Sequence, residues 1–357
     1  MMPPRPASQL PPCRVLASAR AVPPSNLRRD TEARPYMTSV LVLLLASAVA
    51  AATAANATPA APSGTLLPQD IKEDLYSTAF VSEHEGFMVG TFGSIFHTTD
   101  AGKTWQTQET KTTAPLFSVS FADSQHGWVV GKAGTILYTA DGGHAWQKQN
   151  APVPKNLFAV KAVTPQIAWA VGDWGVRLYT GDGGATWQDR SLNEDVILYG
   201  VDFTDAEHGW IVGEMGLMMG TQDGGQTWSR TKTTTGKSLF CVSLRDAQHG
   251  WAVGLDGEIW QTADGGATWT AQKSPVTVAL YAVKFLGDVG WAVGDVGTAL
   301  VSADGGATWR EVQVPIDLKL FWMHAVSVMP GAHSAHGIIA GANGLMLWTQ
   351  KDQILAN

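Results

Sequence analysis

Residues 262–269 read TADGGATW, and near copies recur as TTDAGKTW ending at Trp105, TADGGHAW at Trp146, TGDGGATW at Trp187, TQDGGQTW at Trp228 and SADGGATW at Trp309. The first four Trp-to-Trp gaps are 41 residues and the fifth is 40. A fixed period of that length marks a repeat architecture. Each copy also suits a tight turn: an Asp carboxylate accepts N–H groups ahead of it, and glycine takes positive φ without a steric penalty. The Trp then leaves the turn with about 150–250 Å² of ring surface to bury. Six copies outnumber any set of active sites. Asp100, Asp141, Asp182, Asp223, Asp264 and Asp304, with Trp105, Trp146, Trp187, Trp228, Trp269 and Trp309, are therefore read as structural fasteners.

Whole units open at Leu75, Leu116, Leu157, Leu198, Leu239 and Leu280, with a looser seventh at Met323. The second reads LFSVSFADSQHGWVVGKAGTILYTADGGHAWQKQ. Four segments of alternating or apolar character, LFSVSFA, GWVVG, TILYT and AWQKQ, are each bounded by turn residues and read as strands. Four antiparallel strands per repeat is the pattern of a propeller blade. The expected fold is all-β, a seven-bladed β-propeller of four-stranded antiparallel blades over 75–357. The seventh unit lacks a turn Trp. Counting 11 residues back from Leu75, as from each opening leucine to the preceding Trp, lands on Gly64. A strand at about 63–68, within a linker over 58–74, is thus expected to complete the last blade, and its deletion to destabilise the ring.

The turns resemble the Asp-box, or bacterial neuraminidase repeat (BNR), whose pattern is Ser/Thr-x-Asp-x-Gly-x-Thr-Trp. With HGWxVG ahead of the box at Gly127-Trp128, Gly209-Trp210 and Gly250-Trp251, the fuller unit is similar to the photosystem II assembly and stability factor family of seven-bladed propellers, which has relatives in non-photosynthetic bacteria. The resemblance covers about residues 64–357. It implies a protein-binding assembly role, in photosynthesis for the organelle members, and an arginine-rich functional surface. Past the leader the chain has five arginines, Arg177, Arg190, Arg230, Arg245 and Arg310, and no cluster of them is visible in the sequence.

The leader differs in kind. Residues 1–36 hold six Arg and no Lys and read as an N-terminal extension or a mis-assigned start before Met37. Val40–Ala55, VLVLLLASAVAAATAA, is short for a membrane span and exits through small residues, so 37–57 reads as a signal peptide. Export to the periplasm or medium is expected, or to the thylakoid lumen in a photosynthetic source. With Cys13 in the leader, Cys241 is alone and no internal disulfide is expected. From residue 58 onward 29 acidic residues face 18 basic ones, a net charge of about −11 that argues against nucleic acid.

Enzymatic readings find weak support. A sialidase-like site needs three convergent arginines and a tyrosine nucleophile, but Tyr76, Tyr199 and Tyr281 share a slot filled elsewhere by Phe117, Phe158 and Phe240, a packing position. Paired glycosidase carboxylates would have to come from Asp173, Glu214, Asp256 and Asp295 in four different blades. His126, His208 and His249 share one turn slot and are read as bonding local backbone. His324, His333 and His336 weakly suggest a surface metal, but a structural or solvent-exposed role is favoured, and no metal or cofactor is expected. The remaining signal is at the tips between the second and third strands, where Phe92, Trp174, Met215, Leu255 and Val296 alternate with Asp173, Glu214, Asp256 and Asp295. A ring of apolar side chains rimmed by acids resembles a protein-recognition patch. Links on the same face carry Lys111, Lys155, Lys232, Lys237, Lys273 and Lys319. The expected protein is a monomeric, exported, non-enzymatic binder of a membrane protein or extracytoplasmic polypeptide; the alternative is a sialidase-like or other glycoside hydrolase, or a carbohydrate-binding propeller.

Overall fold

The computed structural model describes residues 65–314, 318, 321–331 and 336–355, which fall in one compact unit, Pro59–Asn357. The leader readings, His333 and Lys319 lie outside the described residues. Seven antiparallel sheets follow one another along the chain, six of four strands and the first of five. Within each blade the spatial order of the four repeat strands follows the sequence, so every connection is a hairpin. The first strands, Leu75–Phe80, Leu116–Phe121, Leu157–Ala162, Leu198–Phe203, Leu239–Leu244, Leu280–Leu286 and Met323–Val328, together line a central channel. The second strands carry the GWxVG-type motifs, and five of them, such as Gly127–Gly131, are buried at every residue because they lie between neighbouring blades.

The aspartate turns show why the repeat is written as it is. In the first, Thr98 Oγ1 donates to Asp100 Oδ1 at 2.9 Å and accepts from Gly102 N at 2.9 Å, while Thr104 donates its N–H and hydroxyl back to the carboxylate. The Trp that follows crosses to the preceding blade. Trp146 meets Phe87 edge-on at 6.2 Å, Trp228 meets Trp169 at 5.5 Å and Trp269 meets Trp210 at 5.3 Å. The second glycine of the turn sits against the same partner: a Cβ on Gly266 would lie 2.0 Å from Trp210, and its φ is +89°. Sterics and backbone conformation thus each require glycine there.

Closure differs from the expectation. Thr65–Leu66 does form a strand, but it pairs with Trp105–Gln108 as a fifth strand outside the first blade. The seventh blade completes itself: the chain turns at Lys351, and Gln353–Leu355 pairs with Met346–Gln350. The reason is that the short tail can make a tight hairpin, which closes a much smaller loop than pairing with the N-terminus. Ile354 takes the place of the missing Trp, packing into the cluster built on Trp291, whose Nε1 donates to Lys351 O at 3.1 Å. First and last blades meet through Trp105, Ile338 and Ala340, and Asn343 N donates to Asp74 Oδ1 at 2.9 Å.

The turns make the fold acid-sensitive. Hydrogen bonds from Thr227, Thr268 and Thr308 hold the carboxyls of Asp223, Asp264 and Asp304 at about 2. Their folded-state values lie below the ordinary carboxylate range near ~3.9, so their contribution is present above that value and is lost as pH falls toward about 2. Burial shifts Asp173, Glu214 and Asp295 upward, the opposite sense. Melting temperature is expected to rise slightly from neutral to mildly acid pH, then to fall steeply below about pH 4. Asp223→Asn/Asp264→Asn should flatten the fall.

Candidate functional site

Two features of the blade set the geometry of the tip face. First, every tip is anchored on the link ahead of its own first strand, as in Asp173 N to Asn156 O at 3.1 Å and Glu214 N to Ile197 O at 2.9 Å. Second, the middle residue of every tip is left-handed, at φ 57° for Phe92, 55° for Ala133, 59° for Trp174, 52° for Met215, 57° for Asp256, 49° for Val296 and 53° for Asn343. This divides the ring that the sequence treated as one. The first tip residue turns toward the channel mouth: Glu214 is buried, and Asp173, Leu255 and Asp295 are half-buried. The second points away from the axis into solvent, leaving Phe92 50%, Trp174 54%, Met215 70% and Val296 52% exposed. Leu255 belongs to the inner set and Asp256 to the outer one, where it pairs with Lys237 at 3.3 Å.

Beneath the inner acids the channel is blocked. Every first strand carries a β-bulge after its opening residue, as between Leu75 and Ser77, and the extra residue is turned inward. These residues are Tyr76, Phe117, Phe158, Tyr199, Phe240, Tyr281 and His324. Successive ring centroids lie 5.5, 5.6, 5.9, 5.1, 5.5 and 5.0 Å apart, and His324 returns to Tyr76 at 5.9 Å. The slot read as a packing position is thus a closed aromatic plug. Burial lowers the His324 ring to about 4, and its Nδ1 lies 3.3 Å from Tyr76 O, so it is neutral and Nδ1 carries the proton. Burial pushes the Tyr199 and Tyr281 phenols well above the ordinary tyrosine value, opposite to what a nucleophile needs.

The histidine readings change accordingly. His324 lies in the plug and His336 at the opposite end of the blade, where it pairs with Gln350, so these two form no cluster. The rings of His126, His208 and His249 bond the side chains of Asp123, Asp205 and Asp246 at 2.9–3.0 Å rather than backbone.

Arginines do gather, but away from the axis. Arg177 lies beside Arg190 on the adjacent strand, its Nε donating to Arg190 O at 2.9 Å, and the charges of Arg190 and Arg230 bear on it. Arg190 stacks on Tyr179 at 3.9 Å and Arg230 pairs with Glu194 at 2.6 Å. The sequence signal was available: 177 and 190 face each other across one hairpin, and 230 follows the next turn Trp by two residues, one position short of the slot of 190.

A seven-bladed propeller with repeated aspartate turns and a plugged axis defines a scaffold class whose distinguishing surfaces are its tips and its blade flanks. The family described as photosynthesis system II assembly factor YCF48 matches residues 65–148, 105–197, 185–239 and 230–321, and the chain belongs to that family. No curated protein sequence matches it. Among solved structures it is similar to YCF48 bound to D1 peptide, at 23% identity and TM-score 0.64 over 82% of this chain and 96% of that one. YCF48 from Cyanidioschyzon merolae aligns at 20% identity and TM-score 0.66 over 79% and 97%. A GH74 xyloglucanase from Xanthomonas campestris aligns at 12% identity and TM-score 0.63 over 83% of this chain and 54% of that one.

Proposed function

We propose that the protein is an exported, non-enzymatic binding propeller that holds an extracytoplasmic segment of a membrane or envelope polypeptide against its tip face. One observation carries this reading. Phe92, Trp174, Met215 and Val296 are bulky, exposed and left-handed at once, a combination that folding alone disfavours by about 1–2 kcal/mol per residue and solubility disfavours again. Glycine or asparagine would serve the turn better, so a partner is the reason for the side chains. The inner acids add a charge preference. An incoming Lys or Arg would stabilise the ionised form that burial of Asp173, Glu214 and Asp295 disfavours. The expected segment therefore combines apolar anchors with a basic residue. The peptide held by the similar YCF48 structure is consistent with a polypeptide partner.

Hydrolysis is disfavoured by the same geometry, because the carboxylates ring a mouth sealed by the aromatic plug rather than a deep cleft.

The test is capture from an envelope fraction. Trp174→Ala and Phe92→Ala should each weaken partner retention about tenfold or more, the cost typical of a buried aromatic anchor. Trp174→Gly should do the same while raising stability by about 1 kcal/mol, since it relieves the left-handed residue. Retention of the same partners at wild-type strength would refute the tip-face reading. Export is tested separately, by the N-terminus of the protein recovered outside the cytoplasm.

A further inference from the structure

Below the plug, on the side of the aspartate turns, the channel opens as a funnel of about 510 Å³. That volume falls in the roughly 300–1,000 Å³ range of small-molecule sites. Much of its polar lining has a structural task. Ser77, Ser118 and Ser120 accept the N–H groups of Val119, Val160 and Ala162 in the next blade at 3.1–3.2 Å. Each of these hydroxyls still has its own hydrogen to donate. Asp202, the acid in this layer, is saturated: it accepts from Lys161 Nζ at 2.6 Å, Phe203 N at 2.9 Å and Leu244 N at 2.8 Å. Its charge is met by Lys161 in direct contact and by Lys284 without a hydrogen bond.

Lys284 and its neighbour from the fifth blade, Ser243, stand outside this scheme. Both line the funnel, and among the described residues neither side chain makes a hydrogen bond or ion pair. Ser327, on the other side of Lys284, makes only a 3.4 Å contact to Thr78 Oγ1. Two lysines thus share the one carboxylate of Asp202, so the wall presents hydroxyl donors and an excess of one positive charge in a body of strongly negative charge. We infer that the funnel binds a small hydroxylated carboxylate, with Lys284 holding the carboxylate and the Ser243 and Ser327 hydroxyls flanking it. The same carboxylate chemistry is offered by the C-terminus of a peptide, and the experiment separates the two sources.

The test is calorimetric titration of the purified protein with sodium D-galacturonate, D-galactose, N-acetyl-Ala-Ala and its C-terminal amide. Galacturonate should saturate one site, with galactose about tenfold weaker or worse, the factor expected for one charge-assisted contact. Lys284→Met should weaken galacturonate binding by about the same factor, Lys284→Arg should restore most of it, and exposed Lys103→Met should have no effect. Saturable binding of N-acetyl-Ala-Ala but not of its amide or of galacturonate would keep the carboxylate site and make a chain terminus its ligand. Absence of saturable binding by both carboxylates, or affinity unchanged in a folded Lys284→Met protein, overturns the inference.

Discussion

Trp169→Ala is expected to destabilise the protein by about 3–5 kcal/mol, the range for removing a fully buried indole. Trp169 is 0% exposed and joins two blades: it stacks on Phe203 at 6.1 Å, meets Trp228 edge-on at 5.5 Å and carries Arg190 at 5.4 Å from its ring. Its Nε1 is buried without a hydrogen-bond partner among the described residues, so the substitution removes packing and no hydrogen bond. Gly225 makes the measurement more specific. A Cβ there would lie 2.2 Å from Trp169, and its φ is +80°. Gly225→Ala alone should cost about 2–4 kcal/mol, combining overpacking with the left-handed backbone. In the Trp169→Ala background the clash disappears and only about 1 kcal/mol of backbone cost should remain. Denaturant unfolding of the two single variants and the double variant measures this coupling of about 1–3 kcal/mol. Additive losses would show that the turn glycine and the indole do not act as one fastener.

What the sequence made legible follows from repetition. The period, the strand count and the turn Trp residues are each written several times, so noise in one unit is corrected by the others. Features that occur once, or depend on which way one residue points, were not legible. The split of the tips into inner and outer residues needs the left-handed middle position, which Trp174 and Val296 do not advertise as glycine would. The four Trp residues outside the repeat show the same limit: Trp174 is exposed at a tip, Trp260 is buried and donates to Glu258 at 2.8 Å, Trp322 stacks on Tyr76 at 5.6 Å, and Trp348 donates to Ala101 O across the closing seam. The arginine group on blades three and four escaped because its members are far apart in the chain but adjacent across strands.

Closure yields the second large effect. A chain ending at Gln350 loses the hairpin turn, the acceptor of the Trp291 indole, the Asp352 partner of Arg310 and the packing of Ile354. It also exposes the edge of Met346–Gln350, a template for pairing with another chain. The expected loss is about 3–5 kcal/mol, combining one large apolar side chain with an orphaned buried donor, and aggregation should appear on heating. Starting the folded unit at Leu67 removes only the Thr65–Leu66 pairing to Gln106 and Trp105, which should cost about 1–2 kcal/mol. Comparing the two truncations by thermal unfolding decides which terminus fastens the ring. The N-terminal strand lies outside a blade that is already complete, whereas the C-terminal strand is the fourth of its own blade and covers the interface to the sixth. The opposite ranking, with the N-terminal truncation the more damaging, would return the closing role to the N-terminal segment.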